Sequence, residues 1–385
     1  MNDAKSNLPK LDAEEILTGV LRWVEVETPS HDGKAVNRLV DQVEQAMAVL
    51  GAKITRTPGR DGFGDILRAR TPWGGDKPGI LVLSHLDTVH PKGSIDGVLK
   101  VRRDGDKVYG PGIYDMKAGA YIAHYALRHL VREGKETPLP ITYLYVPEEE
   151  IGSPTSRALI EAEAKKNKYV LVTEPAREGG KIVTARKGVA RFCVAVKGRP
   201  AHAGARHQDG RSAIKEMAKQ ILRFEALTDY DLGVTASVGL VQGGTGVNVI
   251  PAECTAEVDM RMPDAATAER VVAEVLAFKA FDPDCQVTIE GGLNRPPYEK
   301  FEGIQKLFDH AKGLAANIGF ELKDMKTGGG SDGNFTAALG IPTLDGLGAV
   351  GEGAHSPQES ILLNRLPDRV ALIAQLLLVC TEPRP

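Results

Sequence analysis

Short apolar runs alternate with amphipathic helix patterns along the first half of the chain. Apolar residues that recur every three to four positions predict helices over residues 12–26, 34–50 and 116–131. The apolar runs predict strands, which lie at residues 65–70, 79–84, 141–146 and 169–172. Strands that are apolar almost throughout and alternate with helices are typical of a parallel sheet covered on both faces. We therefore predict an α/β fold with a mixed, largely parallel sheet flanked by helices.

The order of the predicted elements changes between residues 188 and 296. The pattern there predicts a strand, a helix, two strands, a helix and a strand, which is the order of the ferredoxin-like β-α-β-β-α-β motif. Helix patterns return at 302–318 and 365–380, on either side of a glycine-rich loop at 328–333. We therefore predict a discontinuous larger domain, residues 1–187 and 297–385, interrupted by a smaller inserted domain, residues 188–296.

Composition leaves this picture unchanged and excludes several classes of protein. The 385 residues are 42% hydrophobic and 26% charged, as in ordinary globular domains, and the formal net charge is −3. A nearly balanced charge predicts no nucleic-acid partner and no membrane partner. The N-terminal segment lacks the apolar core of a signal peptide, and no apolar stretch is long enough to span a membrane. We therefore expect a soluble cytoplasmic protein.

The four cysteines indicate neither a disulfide framework nor a thiolate zinc site. Cys193, Cys254, Cys285 and Cys380 are scattered along the chain, and no two of them form a Cys-x-x-Cys pair. Each lies in an apolar run of residues, so we expect all four to be buried free thiols.

The most informative residues are the acids and histidines that follow three of the predicted strands. His85 and Asp87 follow the second strand, an acidic triplet at 148–150 follows the third, and Glu174 follows the fourth. The C-terminal ends of parallel strands lie at one edge of a sheet, where sites in such folds are built. We therefore expect these side chains to converge.

Imidazole and carboxylate groups at one place point to a metal site, because they are ligands that zinc prefers. With Asp115 and His355, which lie in glycine-containing loops, the candidate ligands are His85, Asp115, Glu150, Glu174 and His355. Three carboxylates and one hydroxide would balance two divalent ions, and five protein ligands can serve two ions only if one carboxylate bridges. Asp87 is placed to orient the His85 imidazole, and Glu149 remains available as a general base.

Each of these signals also has an ordinary structural explanation. An isolated His-x-Asp pair is a weak signal, the triplet at 148–150 has the composition of a solvated charge run, and Glu174 could simply end a strand. Structural roles are assigned to six other histidines: His31, His90, His124, His129, His207 and His310. The coincidence of several signals at strand ends nevertheless favours the metal site.

Seven motifs spread over nearly the whole chain carry a family resemblance. They are SHLDTV (84–89), GPGIYDMKAG (110–119), PEEEIGS (147–153), VTEP (172–175), GRPAHAG (198–204), GGGSD (328–332) and GAH (353–355). In sequence and in order they resemble the di-zinc aminoacylase and carboxypeptidase family. That family includes acetylornithine deacetylase, succinyl-diaminopimelate desuccinylase and bacterial glutamate carboxypeptidase, and the overall arrangement is most similar to the last of these.

The resemblance implies a specific arrangement of two zinc ions per chain, with manganese or cobalt as possible substitutes. One ion would be held by His85, Asp115 and Glu174, and the other by Asp115, Glu150 and His355, so that Asp115 bridges. The resemblance also implies that Glu149 is the catalytic base, that Asp87 orients a ligand and that a cis peptide follows Asp115. At position 118, where relatives often carry a second glycine, this chain has alanine.

The resemblance also gives the inserted domain a role as a lid and as the surface of a homodimer. His202 resembles the histidine that reaches across such a dimer to stabilise the oxyanion. Asn248 and Arg261 resemble a clamp for the substrate carboxylate, which an arginine fork suits because it donates two parallel hydrogen bonds. Lys181 and Arg295 are candidates to bind an acidic substrate side chain.

These features predict a zinc-dependent metallo-exopeptidase that attacks an amide with water held between the two ions. The bond cleaved would precede a C-terminal amino acid with a free carboxylate, with glutamate or aspartate favoured. One alternative is a deacylase of N-acyl amino acids, of the acetylornithine or succinyl-diaminopimelate type, or an aminohydrolase on the same metal core. A more distant alternative is an inactive metal-binding dimer that kept the fold.

Overall fold

The computed structural model describes residues 11–379, so the predicted buried thiol of Cys380 lies outside the described residues. The helices are α1 (Ala13–Val24), α2 (Gly33–Val49), α3 (Ala118–Arg132), α4 (Arg157–Ala164), α5 (Ala213–Glu225), α6 (Ala265–Leu276), α7 (Glu302–Ile318), α8 (Gly333–Ala337) and α9 (Leu366–Val379). The strands are β1 (Lys53–Thr57), β2 (Ile66–Arg70), β3 (Gly79–His85), β4 (Arg102–Asp104), β5 (Lys107–Tyr109), β6 (Ile141–Val146), β7 (Asn167–Val172), β8 (Ile182–Arg186), β9 (Gly188–Lys197), β10 (Thr235–Gly243), β11 (Glu253–Met262), β12 (Gln286–Arg295), β13 (Asp324–Thr327), β14 (Thr343–Leu344), β15 (Gly351–Glu352) and β16 (Ser360–Leu362).

The chain divides into two units, and the larger one is built on a six-stranded sheet. This unit runs up to Thr184 and includes Lys300–Lys326 and the segment from Ser331 onward. The strand order is β1-β2-β6-β3-β7-β14, in which β6, β3, β7 and β14 are parallel and β1 and β2 form an antiparallel edge. The predicted mixed, largely parallel sheet is therefore confirmed. The prediction missed β1, whose sequence KITRT is polar and largely exposed.

Helices cover both faces of this sheet, as the nearly continuous apolar strands predict. Successive side chains of a strand point to opposite faces. On one face the Tyr143 hydroxyl donates to the Ala123 carbonyl of α3. On the other face Leu144 belongs to an apolar cluster with Ile160 of α4 and Phe335 of α8. The sheet is therefore held between two helical layers, and its strand ends are fixed positions.

The smaller unit consists of Ala185–Glu299 and Thr327–Gly330. Its elements follow the order β9-α5-β10-β11-α6-β12, so the predicted β-α-β-β-α-β order is confirmed. The four strands form an antiparallel sheet in the order β10-β11-β9-β12. Apolar side chains from α5, α6 and one face of this sheet form a common core, for example Phe192, Phe224 and Val271.

The expectation of a buried thiol is wrong for Cys193, which is exposed, and correct for Cys254 and Cys285. Cys193 lies on β9 between Phe192 and Val194, whose side chains enter the core of the smaller unit. Side chains alternate along a strand, so Cys193 points to the outer face of the sheet. This alternation was already visible in the sequence.

No helix among residues 11–379 is long and apolar enough to cross a membrane.

The first turn of α3 lies so close to the end of β7 that one position has to be glycine. A Cβ built on Gly119 would lie 1.9 Å from the Thr173 carbonyl oxygen, which is main chain and cannot rotate away. Ala118, where relatives often have a second glycine, is buried with helical backbone angles and accommodates its methyl group. The close approach brings the turn that precedes α3 against the sheet.

We predict that Gly119→Ala destabilises the protein, whereas Gly313→Ala does not. The first substitution forces α3 away from Thr173 and should lower the free energy of unfolding by about 3 kcal/mol. Gly313 lies in α7 with open space around its Cβ position, and alanine there should stabilise the protein by about 0.5–1 kcal/mol. Urea denaturation followed by circular dichroism measures both, and equal effects of the two variants would contradict the packing argument.

Candidate metal centre

Three neighbouring parallel strands bring their C-terminal ends to one edge of the larger sheet. β3 lies between β6 and β7, and it ends at His85. Glu149 and Glu150 follow the end of β6 in a short turn, and Glu174 follows the end of β7 by two residues. The structure therefore brings together these side chains, as the sequence predicted.

Asp115 lies between the imidazoles of His85 and His355. It is in the tight turn before α3, and the peptide between Asp115 and Met116 is cis, as the resemblance implied. Its Oδ1 is 3.2 Å from His85 Nε2, and its Oδ2 is 3.3 Å from His355 Nε2. The two oxygens of one carboxylate therefore face two different imidazoles.

Two further carboxylates complete this pattern. Glu174 Oε1 is 3.7 Å from His85 Nε2, and Glu150 Oε2 is 3.1 Å from His355 Nε2. Each imidazole thus faces Asp115 and one glutamate. Atoms of His85, Glu149 and Glu174 also lie within 4.8 Å of one another, so the Glu149 carboxylate is within reach of the same centre.

The chemistry of these donors fits divalent cations. Imidazole nitrogen and carboxylate oxygen are the donors that zinc binds, and His85, Asp115 and Glu174 are buried. Glu150 Oε1 is buried with no hydrogen-bond partner among residues 11–379, and an unpaired buried carboxylate oxygen is costly. A cation at the centre would satisfy this oxygen and neutralise the surrounding carboxylates.

The shifted pKa values of the glutamates and of His355 also indicate that the cluster lacks positive charge. Burial, and then repulsion by Asp115, raises the pKa of Glu150 to about 8 and the pKa of Glu174 well above its usual range. Hydrogen bonds to Asp115 and Glu150 raise the pKa of His355 to about 11. Without metal the cluster therefore holds protons, which a divalent ion must displace. Metal affinity should rise with pH for this reason.

Asp87 connects the His85 ligand to the acidic turn. Its main-chain oxygen lies 2.9 Å from His85 Nδ1, and its carboxylate Oδ1 lies 3.4 Å from the same nitrogen. The carboxylate also accepts hydrogen bonds from the main-chain N–H groups of Glu149 and Glu150, and from the Ser30 hydroxyl at 2.6 Å. Asp87 therefore sets the position of the imidazole and of the two glutamates together.

Glu359 has a positioning role that sequence analysis missed. This fully buried carboxylate accepts hydrogen bonds from the main-chain N–H groups of Gly112, Tyr114 and Asp115, at 2.8–3.1 Å. Its Oε2 is also 2.5 Å from Nε2 of His90. Glu359 follows β15 and precedes β16, far along the chain from Asp115, and no spacing rule connects the two. It holds the turn that carries Asp115.

Two of the predicted site residues of the smaller unit lie on adjacent loops. His202 Nδ1 accepts hydrogen bonds from the main-chain N–H groups of Gly204 and Ala205, both at 3.2 Å. Ala203 donates to the main-chain oxygen of Asn248, so the two loops pair. Both His202 and Asn248 are exposed. An imidazole whose Nδ1 accepts carries its proton on Nε2.

The three cationic side chains predicted to bind the substrate each contact other groups of the protein. Arg261 forms a two-pronged ion pair with Asp259, with its Nε and Nη2 at 2.6 and 2.9 Å from the two carboxylate oxygens. Arg295 is 4% exposed and packs against Gly330. In the larger unit, Lys181 Nζ lies 2.5 Å from Glu178 Oε2. A substrate carboxylate would have to compete with Asp259 and Glu178 for two of these cations.

We predict that Glu359→Gln weakens metal binding. The glutamine amide has one acceptor oxygen, so it cannot accept hydrogen bonds from all three main-chain N–H groups that donate to the Glu359 carboxylate. The affinity for zinc should fall about 10- to 100-fold, as is usual when the support of a ligand is lost. Glu352→Gln is the matched control, since Glu352 is an exposed glutamate on β15 that pairs with Lys107. Competition with a chelating dye measures both affinities, and unchanged binding in Glu359→Gln would contradict the positioning role.

Comparison with known proteins connects this geometry to a family. The model of peptidase family M20/M25/M40 matches residues 81–379, which include the whole metal cluster. Carboxypeptidase G2 from Pseudomonas sp. (strain RS-16) is 32% identical over 364 residues, which cover 93% of this chain and 87% of that protein.

Solved structures show the same fold. Aminopeptidase PepT from Bacillus cereus is 25% identical with a TM-score of 0.76, and the match covers 96% of this chain and 100% of that one. The metallo-carboxypeptidase Sso-CP2 from Sulfolobus solfataricus shares the fold at 18% identity, with a TM-score of 0.73 over 95% and 99% of the two chains. Since the family match extends through both units and every residue of the metal cluster, the chain belongs to peptidase family M20/M25/M40 and is a metallopeptidase of that family.

Proposed function

We propose that this enzyme is a two-metal carboxypeptidase that hydrolyses the amide bond before a C-terminal glutamate or aspartate. The main support is the position of Asp115, whose two oxygens face His85 and His355 beside the carboxylate of Glu149. The similarity to carboxypeptidase G2 along most of both chains supports a carboxypeptidase over other members of the family.

The proposed cofactor is a pair of zinc ions, for which manganese or cobalt could substitute. His85, Asp115 and Glu174 would hold one ion, and Asp115, Glu150 and His355 the other. Ions at these ligands would polarise the scissile carbonyl and lower the pKa of the attacking water. The chain's own residues supply the proton transfers and the orientation of the substrate.

Glu149 is the proposed general base. Its side chain is nearly buried, and its main-chain N–H is anchored on Asp87, so the carboxylate is held beside the ligand atoms. Glu149 accepts a proton from the attacking water and then donates it to the departing amine nitrogen. A single carboxylate can perform both transfers because the two steps follow each other at the same place.

His202 is the proposed donor to the oxyanion of the tetrahedral intermediate. Since two main-chain N–H groups donate to its Nδ1, the ring presents an N–H at Nε2. A donor held by its own loop stabilises negative charge that develops during the reaction. In this proposal it acts on the active site of the partner subunit.

The proposed substrate carries two carboxylates. Asn248 and Arg261 would bind the α-carboxylate, and Lys181 or Arg295 the side-chain carboxylate. Arg261 can exchange Asp259 for a substrate carboxylate because both present two oxygens to the same guanidinium fork. Lys181 can likewise exchange the exposed Glu178, an ion pair that contributes little in water.

We propose that the smaller unit also forms a homodimer. The outer face of its sheet exposes Leu240 of β10, which is 63% accessible, beside the exposed Cys193 of β9. An exposed apolar side chain on a sheet face is a position that a partner subunit can cover.

The base assignment predicts that Glu149→Gln keeps its metal and loses its activity. The amide is nearly isosteric but cannot accept the proton, so kcat should fall about 1,000-fold. Metal analysis of the same samples should find about as many ions per chain as in the parent enzyme. Glu161→Gln, on the surface of α4, is the control and should retain full activity. Near-normal turnover by Glu149→Gln would rule out the assignment.

A substrate panel tests the proposed function directly. Zinc-loaded enzyme should release C-terminal glutamate or aspartate from dipeptides and N-acyl amino acids faster than leucine, alanine or lysine, and a chelator should abolish release. Lys181→Ala should reduce the preference for glutamate over leucine by about tenfold. Lys323→Ala, another surface lysine paired with a glutamate, should leave that preference unchanged. Release from N-acetylornithine alone would instead indicate a deacylase.

The role of His202 across the dimer predicts complementation between two inactive variants. Glu149→Gln lacks the base and His202→Ala lacks the donor, so each homodimer should be nearly inactive. A mixed dimer has one site with both residues intact, and random mixing should restore about a quarter of the parent activity. Activity assays after joint refolding, with the dimer checked by analytical ultracentrifugation, provide the measurement. No recovery in proven mixed dimers would contradict the role in trans.

A further inference from the structure

The larger unit contains a polar cavity at the end of its sheet opposite the metal centre. This cavity, of about 480 Å³, lies at the antiparallel edge formed by β1 and β2, beside the end of α4. We call it the basic cavity, and its principal lining residues are Lys53, Arg68, Arg70, Trp73, Lys77 and Lys166. None of them belongs to the proposed catalytic machinery.

The basic cavity has a marked excess of positive charge. Five lysine and arginine residues line it, against two carboxylates, Asp76 and Glu163, whereas the whole chain has a net charge of −3. Cations gathered in a concave site focus their potential and attract anions. The positive charge of the basic cavity is therefore a local feature, because the chain as a whole is slightly negative.

The hydrogen bonds of the Arg70 guanidinium leave its positive charge uncompensated. Its Nη1 donates to the Thr142 hydroxyl at 3.1 Å, and its Nη2 donates to the Gly75 carbonyl at 2.7 Å. Both acceptors are neutral, and within residues 11–379 no carboxylate pairs with Arg70. The two hydrogen bonds fix the guanidinium in position while its charge remains available to a ligand.

Two other cations of the basic cavity share a single acceptor. Arg68 Nη1 lies 2.9 Å and Lys166 Nζ 2.7 Å from the same oxygen, Oε1 of the buried Glu163. The single negative charge of Glu163 neutralises only one of these two positive charges, so the three side chains together keep a net charge of +1. Glu163 also holds both side chains at the wall of the cavity.

The spacing of these cations indicates the kind of anion. Arg68 and Arg70 are two residues apart on β2, on the same face, so they are about 7 Å apart along the strand. Lys53 lies directly opposite Arg70 in the strand pairing, at about 5 Å. Two linked oxyanion groups match this spacing, because Arg70 and Lys53 can bind one group while Arg68, farther along the strand, binds the other. We infer that the basic cavity binds a small diphosphate-type anion, with the Trp73 ring forming part of its wall.

This site would be separate from the metal centre. Arg70 contacts Thr142 near the start of β6, whereas Glu149 and Glu150 follow the far end of the same strand. The intervening strand alone spans about 13 Å. An anion bound at Arg70 therefore contacts none of the metal ligands, and the inference does not rest on the proposed catalytic function.

Trp73 provides a local reporter for the test. The chain has two tryptophans, and Trp23 is buried against Tyr121 and His124, away from the basic cavity. Titration of the full chain with sodium pyrophosphate at constant ionic strength should change the Trp73 fluorescence, with a Kd of about 1 mM or tighter. Calorimetry should give the same Kd, also in Trp73→Phe, which removes the optical signal without removing a cation.

Two variants and one matched control locate the bound anion. Arg70→Ala and Lys53→Glu should each weaken pyrophosphate binding at least about tenfold. Lys53 is an exposed residue at the start of an edge strand, so its substitution tests the site even if Arg70→Ala affects folding. Arg103→Ala, a surface arginine on β4 that pairs with Glu14, should bind as the parent does.

Four results would overturn the inference. Absence of saturable binding would show that the positive charge attracts no specific ligand, and unchanged binding in both variants would place the anion elsewhere. Equal affinity for inorganic phosphate would exclude the diphosphate class. The titration is repeated on metal-loaded and chelator-treated full chain. Equal Kd values support a site apart from the metals, and binding that disappears with the metal would assign the anion to the metal centre.

Discussion

The carboxylate of Asp115 faces two imidazoles, those of His85 and His355, which come from distant parts of the chain. The need to hold this carboxylate between both rings determines the structure around the metal centre. A buried carboxylate is costly unless its oxygens are paired, and both oxygens of Asp115 are paired. Its position is held from two sides. Glu359 binds the main chain of the turn that carries it, and Gly119 allows the following helix to contact the end of β7.

The second organising contact is Asp87, which joins a metal ligand to the proposed base. Because the same carboxylate lies beside the His85 ring and accepts from the main chain of Glu149 and Glu150, these groups move together. His85, Glu174 and the glutamates at 149 and 150 are thus placed by the ends of packed strands, which are rigid. The residues proposed to meet the substrate differ, since His202 and Asn248 lie on exposed loops of the other unit. Loops can vary in sequence without disturbing the metal cluster.

Much of the fold followed from local patterns. The central strands and the principal helices were predicted within a few residues, because apolar periodicity depends on neighbours in sequence and on which face is buried. The polar edge strand β1 was missed, since exposed strands lack this signal. Cys193 was assigned to the core although strand alternation places it outside. The error arose because the whole apolar run of β9 was assigned to the core, although alternate side chains of a strand lie on opposite faces of the sheet.

The sequence by itself determined the class of fold, the order of elements in both units and the set of acids and histidines that converge at the strand ends. These features are encoded locally or in motifs. Only the tertiary structure decided which partners those residues meet. Glu359 beneath the Asp115 turn, Asp259 in the fork of Arg261 and the cations around Arg70 are brought together by chain segments that pack from a distance. Such contacts depend on how helices, strands and loops pack against each other in three dimensions. The periodicity of the sequence reflects only local structure and cannot predict them.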